Sequence, residues 1–113
     1  MTTSRVDDAP IRNSKMESKF RLRTVAKTAG ANVTLLENDP PVQVITPTGS
    51  ARDVTLPAFS ADLEGLTFVI FNTAGSALNL VVKSAANTIL TVAQGKAGIF
   101  VCDGTEWRGL LGA

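Results

Sequence analysis

The chain has 113 residues, a formal net charge of +1, 44% apolar residues and 19% charged residues. These values describe one globular domain; two independent cores do not fit, and the composition is not that of a disordered chain. It contains no His, no Tyr and one Cys. Ser–His and Cys–His nucleophile pairs are therefore excluded, and no intrachain disulfide can form. A zinc site would have to combine Cys102 with scattered carboxylates, so neither a metal nor a cofactor is expected. No apolar run approaches the length of a membrane-spanning helix, and the N-terminus lacks the pattern of a secretory signal.

The charge is unevenly placed. Residues 1–30 hold seven basic and three acidic side chains, +4 in all, while residues 31–113 hold four basic and seven acidic ones, −3 in all. A basic leader thus precedes a mildly acidic body, which suits contact with an acidic partner. The leader has thin apolar content: Val6, Ile11, Met16, Phe20, Leu22 and Val25. It reads as an extended arm over residues 1–30, ordered on its partner, with residues 20–25 alternating like a short strand. Its candidate binding residues are Arg12, Lys15, Lys19, Phe20, Arg21, Leu22 and Arg23. Phosphate contacts are open to such a leader, but its lone aromatic, Phe20, offers little base stacking. An acidic protein surface is preferred, and no nucleic acid or membrane partner is expected.

The body, residues 31–113, is a series of short β-rich runs separated by turn residues. Candidate strands cover 33–36, 42–46, 52–56, 66–72, 78–83, 88–92, 98–102 and 106–111. Prolines at 40, 41, 47 and 57 interrupt the first three. Residues 60–65 suit one helical turn, with Ser60 as cap and Gly65 as stop. The run from Leu66 to Asn72 is the most apolar and reads as a strand buried on both faces. The triplet Val-Thr-Leu occurs at 33–35 and again at 54–56; no longer repeat is present. Eight strands at roughly ten-residue spacing predict an all-β sandwich, jelly-roll-like, of two sheets.

The residues that could carry chemistry are few. Asp62 with Glu64, and Glu37 with Asp39, are acid pairs, but neither has the apolar setting that would raise one carboxyl for acid–base work; they read as solvated loop acids. Cys102 lacks an activating base and reads as a small core residue. Gly95-Lys96-Ala97-Gly98 has the wrong spacing for a phosphate loop. Trp107 follows the turn Asp103-Gly104-Thr105 and either packs at the sheet edge or lies under a subunit interface with Leu110. The chain carries no catalytic set, and an enzyme is not expected.

The second half has a familiar order: Gly65-Leu66-Thr67-Phe68-Val69-Ile70-Phe71-Asn72, a Gly/Ser turn, Leu78-Asn79-Leu80-Val81-Val82, Asn87-Thr88-Ile89, Gln94-Gly95-Lys96-Ala97, and Phe100-Val101-Cys102-Asp103-Gly104-Thr105-Glu106-Trp107. Over residues 42–111 it resembles small β-rich structural proteins of tailed bacteriophages. These include capsid decoration (cement) proteins and the β modules of virion fibres. The resemblance implies a β-sandwich module that forms a homo-oligomer, a trimer in preference to a dimer, on the outer surface of the virion capsid. Its partner would be the major capsid protein, and it would be made in the host cytoplasm. In this expectation the body docks on the phage head, the arm runs over neighbouring capsid subunits, and the whole stabilises capsomer junctions. Removal of residues 1–28 would leave the body folded and abolish binding. The alternative is a β module of a tail fibre or spike that recognises the host surface.

Overall fold

A computed structural model describes residues 21–112. Within them the chain is all-β, arranged as two mixed sheets, with one short 3-10 turn at Ala61–Leu63. Nine strands are present among the described residues: β1 (Thr24–Ala29), β2 (Val33–Thr34), β3 (Val42–Pro47), β4 (Arg52–Leu56), β5 (Thr67–Asn72), β6 (Leu80–Ser84), β7 (Asn87–Val92), β8 (Ala97–Cys102) and β9 (Trp107–Gly112). The expected all-β class with two sheets is found; the described residues hold nine strands rather than eight, and β1 overlaps the run at 20–25 that alternates like a short strand.

Sheet A has the order β9-β8-β5-β3-β1, and sheet B the order β2-β4-β6-β7. From β1 to β6 the chain alternates between the two sheets, so each circuit lays one strand on each. Successive circuits therefore stack in parallel: β1 on β3, β3 on β5, β2 on β4, and β4 on β6. Only the last part of the chain reverses, pairing β7 with β6, β8 with β5, and β9 with β8 in antiparallel ladders. A jelly roll is built from antiparallel Greek keys, whereas four of the seven pairings here are parallel. The cause is the crossing between sheets: a strand that returns to its own sheet after visiting the other runs in its original direction.

The repeated triplet marks this stacking. Val33 lies opposite Val54 and Thr34 opposite Thr55, and the Leu35 N–H donates to the Thr55 carbonyl at 2.8 Å. Leu35 and Leu56 both point into the core, each contributing about 1.5–3 kcal/mol by burial. The two Val-Thr-Leu segments are thus the same rung of successive circuits, 21 positions apart in sequence.

The inner faces of both sheets share one core, which includes Ile45, Phe68, Ile70 and Phe100 from sheet A and Val54, Leu80, Val82 and Val92 from sheet B. Two glycines admit the Phe100 ring. A Cβ on Gly98 would stand 2.9 Å from it, and one on Gly109 would stand 3.0 Å from both Phe100 and Ile89. Cys102 is fully buried and free, as expected of a small core residue. The expected turn at 60–65 is present as the 3-10 turn, with Gly65 at φ +89°. Ser60 precedes it without making a side-chain capping bond.

The boundary between arm and body moves. Residues 24–29, assigned above to the arm, form β1 and pair in register with β3 from Thr24↔Val42 to Ala29↔Pro47. A deletion through residue 28 would remove most of an edge strand and would not be a clean test of the leader.

Candidate interaction surface

The described chain enters the fold at the edge of sheet A. The Val42 N–H donates to the Arg23 carbonyl at 3.1 Å, and the Arg23 guanidinium donates to the Asn38 carbonyl at 3.3 Å. These two bonds tie Arg23 to the start of β3 and to the loop before it. Arg21, Leu22 and Arg23 are all exposed at this point. Arg12, Lys15, Lys19 and Phe20 lie outside the described residues.

Trp107 is buried within the single chain. It is 3% exposed; its ring stands 6.0 Å from that of Phe68, and its Nε1–H donates to the Pro57 carbonyl at 2.8 Å. This bond ties sheet A to the loop that leaves β4. The indole has no surface left for another subunit. Leu110, by contrast, is 68% exposed and belongs to a larger surface that the sequence search did not assemble.

That surface is the outer face of sheet A. Strand pairing aligns Thr24, Val42, Val69, Ile99 and Leu110 in one row across all five strands. The next row is Ala26, Val44, Phe71, Ala97 and Gly112. Thr67, Val101 and Arg108 form a third, shorter row. Side chains alternate across a strand, and the neighbours of these residues along β5 and β8 (Phe68, Ile70, Phe100 and Cys102) are buried in the core. The rows therefore point outward. Phe71, Ile99, Val101 and Leu110 are the exposed large apolar residues among them. The run over residues 68–71, apolar at every position, was the available signal.

The outer face of sheet B has the usual polar character. Asp53 and Lys83 form an ion pair at 3.0 Å, the Asp53 N–H donates to the Asn32 side chain at 3.0 Å, and Thr55, Thr88 and Thr91 lie on the same face, with Val81 between Asp53 and Thr91. Such outward polar residues are what a solvent-facing sheet carries.

A groove of about 1000 Å³ opens between the loop after β2 and the loop after β4, lined by Leu36, Pro57, Phe59 and Leu63 among others. Glu37 is the one ionisable side chain on its wall. Asp39 is instead engaged locally, accepting the Leu36 N–H at 2.7 Å. Asp62 and Glu64 are exposed on the 3-10 turn. Of the two acid pairs, only Glu37 borders an apolar surface, and its pair member Asp39 does not line the groove.

Asp103 organises the turn between β8 and β9. Its carboxylate accepts the N–H groups of Thr105 and Glu106, each at 2.9 Å, and the Thr105 hydroxyl at 2.8 Å. It also accepts the Arg108 Nε–H at 2.9 Å. The Thr105 N–H, then the Arg108 guanidinium, then the Glu106 N–H hold this carboxyl well below the usual carboxylate range. Because the folded pKa is depressed, the turn gains from this carboxylate at neutral pH and loses that gain only as pH falls below 3.8, the ordinary value. The Thr105 amide resonance should hold steady from neutral pH down to 3.8 and titrate only below it. An inflection at 3.8 itself would show that these bonds do not form in solution.

No family model matches the chain, and comparison with curated proteins and with solved structures also gives no match.

Proposed function

We propose that the chain is a structural virion protein: a capsid decoration (cement) protein that binds the outer surface of a phage head and stabilises capsomer junctions. The observation that carries this reading is the basic sequence of residues 1–30, +4 in all, ahead of a β body whose first described residues, Arg21 to Arg23, are exposed at the rim of sheet A. A rigid β body that presents such a leader is built to hold on to another protein rather than to turn over a substrate. The sequence resemblance to small phage structural proteins points the same way.

In this mechanism Arg12, Lys15, Lys19, Arg21 and Arg23 pair with acidic groups of the major capsid protein. Phe20 and Leu22 fill apolar grooves on it. Exposed ion pairs are individually worth about 0.2–1 kcal/mol. Tethering several leaders in one assembly raises the effective concentration of each, so weak contacts add to firm attachment.

Deleting residues 1–20 tests the leader while sparing β1. The truncated protein should keep the thermal unfolding midpoint of the full chain and lose sedimentation with expanded phage heads. Co-sedimentation equal to that of the full chain would refute the leader's role.

A second reading, a β module of a tail fibre or spike, is favoured by the stacking of circuits along one axis. Stacked β circuits suit an elongated shaft. The two readings differ in where on the particle the protein sits.

A further inference from the structure

We propose that the outer face of sheet A packs against the same face of another copy of this chain. The inference does not rest on the virion reading.

Four observations carry it. First, β5 has the composition of a strand buried on both faces, yet within one chain only its inner face is covered. Phe68 and Ile70 are 0% exposed, while Phe71 on the outer side is 41% exposed. Second, the apolar character is confined to one sheet. The equivalent face of sheet B carries an ion pair and threonines with Val81 as its one central-strand apolar residue, so general hydrophobicity of the chain does not explain it.

Third, the area is adequate. Five strands about 4.8 Å apart and six residues at about 3.3 Å each give a flat footprint of roughly 480 Å² per copy. Two such footprints together reach roughly 1,000 Å², the lower bound for a specific interface, before side-chain relief is counted.

Fourth, the charge pattern suits self-pairing. The rows hold one ionisable residue, Arg108, at a corner, and its guanidinium is already engaged by Asp103 at 2.9 Å and Glu106 at 2.7 Å. A face whose charge is confined to one locally paired corner, made mostly of β-branched and other apolar side chains, is complementary to itself under a symmetry axis. An acidic or basic partner would find nothing there to pair with. The formal net charge of +1 sets no electrostatic barrier between copies.

Leu110, singled out in the sequence as a subunit contact, lies in the central row with Val42, Val69 and Ile99. Sheets packed in this way stand about 10 Å apart, with these side chains interdigitated.

The test is the solution mass of the full chain by light scattering, over a concentration series. The expected mass is twice the 11.9 kDa of one chain. Ile99→Lys should reduce it to one chain while leaving the circular dichroism spectrum unchanged. Leu110→Lys, at an edge position with no role in the core, guards against a folding defect in the first variant and should weaken association in the same direction. Thr91→Lys, on the outer face of sheet B, should leave the mass unaltered. A wild-type mass of one chain would overturn the proposal and assign the face to a foreign partner. Retention of the multimer by both folded sheet A variants would overturn it as well.

Discussion

Replacing Asn72 with alanine is expected to lower stability by about 3–5 kcal/mol, since each buried backbone group left without its partner costs about 1–3 kcal/mol. Asn72 is 1% exposed at the end of β5. Its Nδ2 donates to the Leu78 carbonyl at 2.8 Å and to the Val92 carbonyl at 2.9 Å, and its Oδ1 accepts the Ala74 N–H at 2.9 Å. One amide therefore joins the end of β5 in sheet A to the end of β7 in sheet B and shapes the loop between β5 and β6. Alanine leaves two carbonyls and one N–H without it. Asn72→Asp preserves the size but removes both donors and places a carboxylate against two carbonyl oxygens, so it should be at least as damaging. Thermal unfolding measures both; a drop in Tm beyond about 10 °C is expected for a domain of this size. Near wild-type stability in Asn72→Asp would show that the amide is not the joint described.

Trp107→Ala is expected to cost about 3–5 kcal/mol, the range for truncating a large buried aromatic residue. Trp107→Phe should cost much less. It retains most of the packing against Phe68 and gives up the bond to the Pro57 carbonyl, worth about 0.5–1.5 kcal/mol. The pair of variants separates the two sequence-derived alternatives for this residue. A core residue changes the unfolding midpoint of every molecule, whatever the concentration. An interface residue leaves the stability of the single chain intact and changes only its association. Unaltered unfolding of Trp107→Ala would return the indole to the interface.

The eight strands of the body were legible because Pro, Gly, Asn and Asp punctuate them and the runs between are short and β-branched. Their pairing direction was not. Inward–outward alternation is the same whether the neighbouring strand is parallel or antiparallel, so the pattern that locates a strand says nothing of its partner. Only the doubled Val-Thr-Leu at 33–35 and 54–56 carried that information, because parallel circuits in register stack like on like. β1 was legible only in part, as strand-like alternation over residues 20–25, for a different reason. The segment Thr24–Ala29 has one large apolar residue, Val25, among Thr, Lys and Ala. It becomes a strand by pairing with the preformed edge of β3 rather than by its own periodicity.

The candidate surface was half visible. Leu110 was identified on its own, and the apolar run of β5 was recognised as needing cover on both sides. The rows that join Val42, Val69, Ile99 and Leu110 depend on register across four strands, and a register is a property of the fold, not of any one segment. Asn72 stood at the end of the most apolar run, where a polar residue reads as the close of a strand. Its three bonds go to residues 2 to 20 positions away, which no local pattern records.

Immunogold electron microscopy of purified phage particles, with an antibody against this protein, tests the proposed role most directly. Regular label over the head is the expected result. Label confined to the tail or fibres, or particles without label, would contradict a decoration role.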